Sequence, residues 1–392
     1  MSRIFLYEEK LSLEYIPPKL PFREKELEML NVFFSSFIKE EKFISPRVLI
    51  TGSIGTGKTS LCKLFGENAE KEAKKHGIKI SFIYLSCKIY KTLFTLIRGI
   101  AERINIPFPT KGLSTEELMN RILDYIYDKN IRLILALDEF DFLVKEEGSE
   151  AVYFLTRIGE VRNEKSIMPS LICILRNPEV LRSLDESSRS TLQSNFIHLK
   201  EYDEEQLYGI IKYRASEAFY ENSVLDETLK FIAEISSERG DARYAIELLW
   251  RAGKFAEAEK SKNVLPEHVR KAYASIYPTL NREHLTYLSI HEKLILLALS
   301  RSLKENEEAH VTSSELNEFY KIVCEEYDIA PRSYRRFWDY LQRLEDLGYI
   351  RIKVLSKEEK GRKSYISLPE IPASILENEL SNIIKFKKEI IY

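Results

Sequence analysis

The amino-acid sequence predicts an α/β fold with a parallel, doubly wound sheet, followed by a helical domain and a C-terminal domain of three helices and a hairpin. Three observations support this prediction. Short apolar runs alternate with longer helix-like stretches from Leu30 to about Ile197, a pattern typical of a parallel sheet covered by helices. Strand signals disappear between Asp203 and roughly Tyr277. The remaining block ends in two runs with strand-like alternation.

Length and composition indicate a soluble protein with several domains. A chain of 392 residues exceeds the size of a typical single core, and the pattern places domains at residues 1–200, 201–280 and 281–392. The first residues contain no long apolar segment, and the run "LILLAL" at Leu294–Leu299 is too short to span a bilayer. We therefore expect a cytoplasmic protein that is not secreted.

Cysteine and charge content exclude several kinds of site. The four cysteines are scattered without a C-x-x-C pair, which argues against a zinc site and a disulfide framework. The net charge is −2, so any nucleic-acid binding must come from a local basic patch.

The first block contains a phosphate-binding loop. Its candidate strands are "RVLIT", "KISFIYLSC", "LILALDEFD" and "SLICILR". The stretch "GSIGTGKTS" follows the first of them, precedes a helix-like segment and matches G-x-x-x-x-G-K-[ST]. The residues expected to bind nucleotide are Gly52, Gly55, Thr56, Gly57, Lys58, Thr59 and Ser60. Lys58 would contact the β- and γ-phosphates and Thr59 would bind Mg²⁺; the alternative is an ordinary glycine-rich turn.

A second motif, which is acidic, follows an apolar run that is predicted to form a strand. The run "LILALDEFD" places Asp138 and Glu139 at the end of an apolar segment, where unpaired carboxylates are costly unless a metal and a water engage them. Asp138 would hold Mg²⁺ through water, and Glu139 would polarise the attacking water in ATP hydrolysis. The alternative is an acidic cluster that caps the following helix.

The helical block contains a candidate anion-binding helix start. Its predicted helices lie in "DEEQLYGIIKYRASEAFY", "DETLKFIAEISSERG", "DARYAIELLWRAGKFAEAEK" and "PEHVRKAYASIY". Gly240 can end one helix and Asp241 can cap the next, which places Arg243 in a first turn facing a bound anion. The alternative is a surface arginine in a helical hairpin.

The last block has the outline of a winged helix-turn-helix with a local basic excess. Residues 331–363 contain ten basic and five acidic residues. Pro331 suits a first helical turn, and the expected DNA contacts are Arg332, Arg335 and Arg336 in the helix and Lys360, Arg362 and Lys363 in the wing. Phe337, Leu341, Leu344 and Leu347 recur at helical spacing and are predicted to be core. A winged helix used only for protein contacts is the alternative.

Together these motifs resemble the AAA+ ATPases, and specifically the archaeal origin-recognition/Cdc-type replication initiator family, across nearly the whole chain. The most specific part is "GDARYAIELLWRAGKFAE", which is similar to the family's second sensor helix; "LDEFDFL" is similar to its Walker-B run. The resemblance implies that Arg243 contacts the γ-phosphate from a helical lid. It also implies that Asn177 is a first sensor that orients the attacking water, although a turn-forming Asn before Pro178 explains it equally well.

Further residues enter through this resemblance alone. The stretch "PPKLPFREKELEML" is similar to the family's N-terminal box, whose residues Pro21, Phe22, Arg23 and Glu24 would lie beside the adenine. An insertion after the second strand, "CKIYKTLFTLIRGIAERINIP", would add Lys88, Lys91, Arg98 and Arg103 as DNA contacts. An amphipathic surface helix with ordinary basic residues is the alternative.

One departure from the family bears on hydrolysis. Where the family carries an arginine after "LDP", this chain has "LDESSRSTL", so that Ser187 occupies the usual arginine position and Arg189 lies two residues on. An arginine supplied to a neighbouring subunit's phosphate can raise hydrolysis by orders of magnitude. We therefore expect slow turnover, with nucleotide acting as a conformational switch.

The resemblance implies an ATP-binding initiator that binds double-stranded origin DNA and helps to load the replicative helicase. Its implied cofactors are ATP or ADP and Mg²⁺, and its implied partners include other initiator paralogues. The implied location is the cytoplasm, in association with the nucleoid. Two alternatives stay open at this stage: a signalling-type NTPase that uses the winged helix for protein contacts or transcription control, and a paralogue that inhibits initiation.

Overall fold

The computed structural model describes residues 4–107, 112–157, 168–192, 195–276, 282–356 and 362–391. The chain divides into two compact units. The base unit comprises Glu14–Gln206 and Arg239–Ala242, and the lid and winged-helix unit comprises Met1–Leu13, Leu207–Glu238 and Arg243–Tyr392. The sequence prediction placed the first residues in the nucleotide-binding domain, whereas the structure groups them with the lid.

The base unit is built on a five-stranded parallel sheet. Its strands are β1 Arg47–Gly52, β2 Lys79–Ser86, β3 Ile131–Asp138, β4 Ser170–Leu175 and β5 Phe196–Leu199. Their order is β2-β3-β4-β1-β5. The central strands β3 and β4 are buried along their whole length, because helices cover both faces of a parallel sheet. The sequence predicted four of these strands; β5 has four residues with alternate burial, too short a run to be recognised.

Seven helices of the described base unit surround this sheet. They are α1 Glu24–Phe33, α2 Ser35–Lys39, α3 Lys58–Lys75, α4 Leu93–Ile104, α5 Thr115–Asp128, α6 Phe140–Arg157 and α7 Glu186–Leu192. One core cluster packs α1, α2 and α3 against the sheet, with Phe34 and Phe65 fully buried, and a second packs α4, α5 and α6.

The lid contains four helices, as the sequence predicted. They are α8 Glu204–Ala218, α9 Asp226–Ser237, α10 Ala242–Ala258 and α11 Pro266–Ile276. Residues 4–13 pack on the lid: the ring of Phe5 lies 4.7 Å from that of Phe219, and Glu8 accepts a hydrogen bond from Trp250 at 2.8 Å. Gly253 makes room for this contact, since a Cβ there would lie 2.4 Å from Phe5.

The C-terminal domain is a winged helix with additional elements. Its helices are α12 Arg282–Tyr287, α13 Ile290–Asn306, α14 Ser313–Glu326, α15 Tyr334–Asp346 and α16 Ala373–Ile391, and its strands are β6 His310–Thr312, β7 Arg351–Ser356 and β8 Arg362–Ser367. The strands form an antiparallel sheet in the order β6-β8-β7. The sequence analysis did not identify β6, α12 or α16, whose segments are short or follow the predicted hairpin.

Helix α13 forms the centre of the winged-helix core, with residues from Leu294 to Leu299 fully buried. This buried position explains the apolar run "LILLAL". None of the helices in the described ranges has the length and apolarity needed to cross a bilayer. All four cysteines are buried free thiols, and burial raises the pKa of Cys62 and Cys87, which keeps both in the unreactive thiol form.

Candidate functional site

The phosphate-binding loop connects the end of β1 to the start of α3. Gly55 and Gly57 have φ angles of 76° and 91°, which favour glycine. Gly55 is also required by space, since a Cβ there would lie 1.6 Å from the Asp241 carboxylate. The loop therefore places its backbone N–H groups at the N-terminus of α3, where an anion is favoured.

The two polar residues at the start of α3 hold defined positions. The Lys58 ammonium donates hydrogen bonds to the carbonyls of Gly52 at 2.7 Å and Ser53 at 2.6 Å. The Thr59 hydroxyl donates to Asp138 at 2.6 Å. The Thr59 hydroxyl at the start of α3 and the Asp138 carboxylate at the end of β3 form an oxygen-rich site of the kind that Mg²⁺ prefers.

Asp138 at the end of β3 accepts three hydrogen bonds. Besides Thr59, its donors are the hydroxyl of Tyr84 at 2.7 Å and the backbone N–H of Glu139 at 2.7 Å. Burial and the Asp138 charge raise the pKa of Tyr84, so its hydroxyl remains a donor. The sequence analysis missed Tyr84, which reaches Asp138 because β2 and β3 are adjacent in the sheet.

Glu139 is held by residues from both neighbouring strands. Arg176 donates to one carboxylate oxygen at 2.6 Å, and Ser86 donates to the other at 2.8 Å. Ser86 ends β2 and Arg176 directly follows β4, and these strands flank β3. The backbone of Glu139 has a φ angle of 53°, an uncommon conformation for this residue type. Neither partner was predicted from the sequence.

Asn177 lies beside this cluster, just beyond β4. Its side-chain oxygen accepts the backbone N–H of Glu179 at 2.9 Å and caps a short 3₁₀-helix, the turn role that the sequence left open. The buried carboxylate of Asp141 accepts the backbone N–H groups of Arg176 at 2.9 Å and Asn177 at 3.4 Å. Asp141 thereby fixes the position of the Asn177 backbone.

Arg23 makes contacts that the sequence did not predict. It is buried, with 4% of its surface exposed, and donates to the carbonyls of Thr56 at 3.1 Å and Lys200 at 2.6 Å. Its guanidinium lies 4.0 Å from the ring centre of Tyr202. Arg23 therefore braces the phosphate-binding loop, and its adenine contact stays a prediction, as do those of Pro21, Phe22 and Glu24.

The start of α10 joins this region through the backbone. The N–H of Ala242 donates to the carbonyl of Gly55 at 3.2 Å. Gly240, with a φ angle of 56°, precedes this helix start, as the sequence analysis expected. Arg243 lies in the first turn of α10 but belongs to the lid and winged-helix unit, and its contact with nucleotide stays a prediction.

The expected arginine position lies on α7. Ser187 is exposed there and accepts a hydrogen bond from Arg157 at 2.9 Å, a contact that the sequence did not predict. Arg189 is half-buried on the same helix.

The candidate recognition helix begins later than predicted. Helix α15 starts at Tyr334 after Ser333, so Pro331 and Arg332 precede the helix and the prediction that Pro331 occupies its first turn was wrong. The reason is that Arg332 is held by other contacts: its Nε donates to His291 at 2.9 Å. Arg335 and Arg336 lie exposed in the first turn, where recognition helices contact DNA.

The opposite face of α15 packs in the core. Phe337, Leu341 and Leu344 are fully buried as predicted. The prediction for Leu347 was wrong, because this residue lies at the helix end and is 52% exposed. In the wing, Lys363 is exposed on β8, whereas Lys360 and the side chain of Arg362 lie outside the described residues.

The insertion after β2 forms a turn and the amphipathic helix α4. Lys88 and Lys91 are exposed in the turn. Arg98 pairs with Glu102 at 3.3 Å, and Arg103 donates to the carbonyl of Tyr84 at 3.3 Å. One face of α4 is buried in the core. Lys88 and Lys91 therefore remain the better-placed DNA candidates of this segment.

Comparisons with known proteins agree with this organisation. Family models match residues 46–182 (AAA domain), 208–274 (Cdc6 AAA+ ATPase-type lid domain) and 283–378 (CDC6, C terminal winged helix domain).

Relatives match over nearly the full chain. The ORC1-type DNA replication protein 2 of Saccharolobus solfataricus is 34% identical over 93% of this chain and 90% of its own. The crystal structure of Cdc6p from Pyrobaculum aerophilum is 29% identical, with a TM-score of 0.83 and coverage of 98% and 99%. The Aeropyrum pernix ORC1 protein, solved in complex with DNA, is 29% identical, with a TM-score of 0.64 and coverage of 97% and 98%. The chain therefore belongs to the family of archaeal ORC1-type DNA replication proteins, with an AAA+ domain, a lid and a C-terminal winged helix.

Proposed function

We propose that this chain is a nucleotide-switched replication initiator that binds double-stranded origin DNA and helps to recruit and load the replicative helicase. The observation that carries this proposal is the presence in one chain of two features. These are a loop with the phosphate-binding motif, in which Thr59 donates to Asp138, and a winged helix whose first-turn arginines, Arg335 and Arg336, are exposed. Fold alone would not support the function; the family and these residues together do.

The nucleotide is ATP or ADP with Mg²⁺. The loop residues from Gly52 to Ser60 would bind the phosphates, with Lys58 as a point charge on the β- and γ-phosphates. Thr59 and Asp138 would hold Mg²⁺, and their mutual hydrogen bond supports this role because both oxygens already face one another. The metal would neutralise charge that develops on the phosphates.

Hydrolysis is slow in this proposal. Glu139 would polarise the attacking water, Asn177 would orient it and Arg243 would contact the γ-phosphate. Two observations favour slow turnover: both carboxylate oxygens of Glu139 already accept hydrogen bonds, and Ser187 stands where the family carries an arginine. The nucleotide would then act mainly as a conformational switch. A fast steady-state ATPase rate in the absence of DNA would contradict this part.

DNA would be bound at the winged helix. Arg335 and Arg336 on α15 would contact bases and phosphates, Lys363 and the other wing residues would contact the backbone, and Lys88 and Lys91 would add contacts from the base unit. The Aeropyrum pernix ORC1 protein, related to this chain along its length, was solved with DNA, which supports the same mode. The further partners would be the replicative helicase and other initiator paralogues at the nucleoid.

The test is fluorescence anisotropy across a salt series. It compares a labelled origin duplex from the source genome with a duplex of scrambled sequence. Base readout should leave a preference for the origin of at least about tenfold at higher salt, whereas phosphate contacts alone weaken equally with salt. The variant Arg335→Ala/Arg336→Ala should lose the preference. Lys71→Ala/Lys75→Ala removes two charges from the exposed surface of α3 and should retain it. Equal and weak binding of both duplexes by the wild type would reject origin recognition.

A further inference from the structure

His291, the second residue of α13, lies at the base of the candidate recognition helix. Only 5% of its surface is exposed. Its Nε2 accepts a hydrogen bond from the Nε of Arg332 at 2.9 Å, and its Nδ1 lies 2.8 Å from the hydroxyl of Tyr320. The backbone N–H of Arg332 also donates to the Tyr320 hydroxyl, at 3.2 Å. Arg332 is thus attached to the winged-helix core through both its side chain and its backbone.

These contacts determine where the proton on the imidazole lies. A guanidinium has only donors, so Nε2 must be the unprotonated, accepting nitrogen. The proton of a neutral ring then sits on Nδ1 and is donated to Tyr320. The Tyr320 side chain in turn forms a hydrogen bond with Cys324. With a neutral imidazole each of these groups has a compatible partner.

The charged and titratable neighbours leave this arrangement intact near neutral pH. From α14, Tyr320 faces the ring, and Cys324 interacts with Tyr320. From α15 and the segment before it, Arg332 approaches Nε2 and Tyr340 stacks at a centroid distance of 5.8 Å. The adjacent Glu292 lies 3.3 Å from Arg343. Burial, followed by the positive charge of Arg332, lowers the pKa of His291, which favours the neutral ring.

We propose that His291 is a positioning residue of the DNA-binding surface, whose neutral ring tethers the Nε of Arg332 and presents the rest of this exposed guanidinium to a DNA phosphate. The inference rests on the proposed DNA-binding function. A guanidinium fixed at Nε loses less side-chain freedom when it binds a phosphate. A protonated imidazole would direct a donor and a positive charge at Arg332, so the tether would break and the preorganisation would be lost.

The tether is tested first without DNA. The pKa of His291 is measured by NMR on protein with labelled histidine, with the signal assigned from the His291→Gln variant. Arg332→Ala removes an exposed side chain, a neighbouring cation and the donor to Nε2, so the pKa of His291 should rise. A pKa of His291 that is the same in wild type and Arg332→Ala would overturn the tether.

The positioning role is tested by duplex binding from about pH 5.5 to about pH 8 at constant ionic strength. Wild-type affinity should fall by about three- to tenfold as His291 becomes protonated, since one oriented phosphate contact is lost. Over the same pH range, the slope of log affinity against log salt concentration should decrease in magnitude by about 0.9, the value for one phosphate contact. His291→Gln and Arg332→Ala should lack both changes.

A surface variant provides the matched control. His76→Gln changes a histidine on the exposed face of α3 that pairs with Glu72, and it should keep the wild-type pH step. Circular dichroism confirms that each variant is folded. Parallel pH profiles for wild type, His291→Gln and Arg332→Ala would overturn the positioning role even where duplex binding is normal. A wild type that binds no duplex at any pH would overturn the proposed function, and the positioning role with it, while the NMR measurement would still decide the tether.

Discussion

The carboxylate of Glu139 lies 2.6 Å from the guanidinium of Arg176. Ser86 occupies the second carboxylate oxygen, so the residue expected to polarise the attacking water is engaged on both sides. A carboxylate in a charge-assisted hydrogen bond is a weaker acceptor for a water proton. Because Arg176 is 47% exposed at its side chain, solvent screens this pair and its contribution is modest.

Replacing Arg176 by serine should therefore raise ATP turnover. We expect an increase in kcat of about two- to fivefold, which corresponds to the free energy of one exposed ion pair. Steady-state phosphate release with saturating nucleotide measures this change. The backbone N–H of Arg176 still donates to Asp141 in the variant, so the loop position is preserved.

Arg182→Ser is the matched control for this experiment. Arg182 follows the same strand and pairs with Glu179 at 3.4 Å, with 79% of its side chain exposed. Its removal should leave kcat unchanged. A reduced or unchanged rate in Arg176→Ser would show that Arg176 does not restrain Glu139.

Tyr84 should contribute to metal-dependent nucleotide binding. Its hydroxyl donates to the Asp138 oxygen that also faces Thr59, and so it keeps that carboxylate directed at the expected metal position. In Tyr84→Phe the Mg²⁺ concentration for half-maximal nucleotide binding should rise about fivefold, since a hydrogen bond to a charged group is lost. A fluorescent nucleotide titrated with and without Mg²⁺ measures this effect.

The Mg²⁺-free titration separates positioning from folding. Tyr153→Phe alters a tyrosine that is 50% exposed on α6 and should change neither titration. If Tyr84→Phe weakened Mg²⁺-free binding as much as Mg²⁺-dependent binding, the hydroxyl would have only a structural role.

The sequence predicted side chains whose partners lie in the same motif, and missed those whose partners come from distant segments. The position of Lys58 follows from the loop itself, because its partners are the carbonyls of Gly52 and Ser53. Arg23, by contrast, donates to Lys200, a partner 177 residues away, and no periodicity encodes such a contact. The pairing of Arg176 with Glu139 depends on β3 and β4 being neighbours, which strand spacing alone does not specify.

Two predictions for α15, its first residue and the burial of Leu347, were wrong because tertiary contacts and the helix end were not visible in the sequence. Pro331 predicted an earlier start of α15 than the structure has, and Gly348, with a φ angle of 77°, follows the C-terminal end of this helix. The N-terminal limit failed because Arg332 is bound by His291 and Tyr320, whose positions depend on tertiary packing. Leu347 matched the helical period, but the helix ends at Asp346, and the next residue turns away from the core.

Arg270 should be essential for the packing of the lid against the winged helix. It is fully buried, and it donates to the carbonyls of Leu368 at 2.9 Å and of Glu308 and Ala309 at 3.1 Å. Arg270→Met should destabilise this unit by about 3–5 kcal/mol, because buried carbonyls and Glu267 lose their partner. Lysine should not restore stability, since it cannot reproduce the planar donor set.

Tryptophan fluorescence during urea unfolding reports on this unit alone. Both tryptophans of the chain, Trp250 and Trp338, belong to it. Arg251→Met removes a half-buried arginine that pairs with Glu247 on α10 and should cost less than about 1 kcal/mol. Equal unfolding midpoints for Arg270→Met and Arg251→Met would contradict the role assigned to Arg270.

His268 should make the stability of the same unit pH-dependent. It is 3% exposed and its Nδ1 accepts the N–H of Leu265 at 2.9 Å. Burial lowers its pKa below the ordinary value of 6.5, and the nearby Glu259 only partly opposes this shift. Between the folded pKa and 6.5 the unfolded chain binds more protons, so stability is complete above 6.5 and falls as pH decreases through the folded pKa.

His268→Gln should reduce this loss, because an amide oxygen can accept the same N–H and does not titrate. Between about pH 7.5 and about pH 5 we expect the variant to lose less stability than wild type, because the lowered pKa of His268 no longer contributes. The remaining loss should come partly from His291, whose pKa is shifted in the same direction. His76 lies on the surface of the base unit, and the His76→Gln variant should lose as much stability as wild type in the same tryptophan assay. If His268→Gln lost as much stability as wild type over this pH range, protonation of His268 would not be coupled to unfolding of the lid.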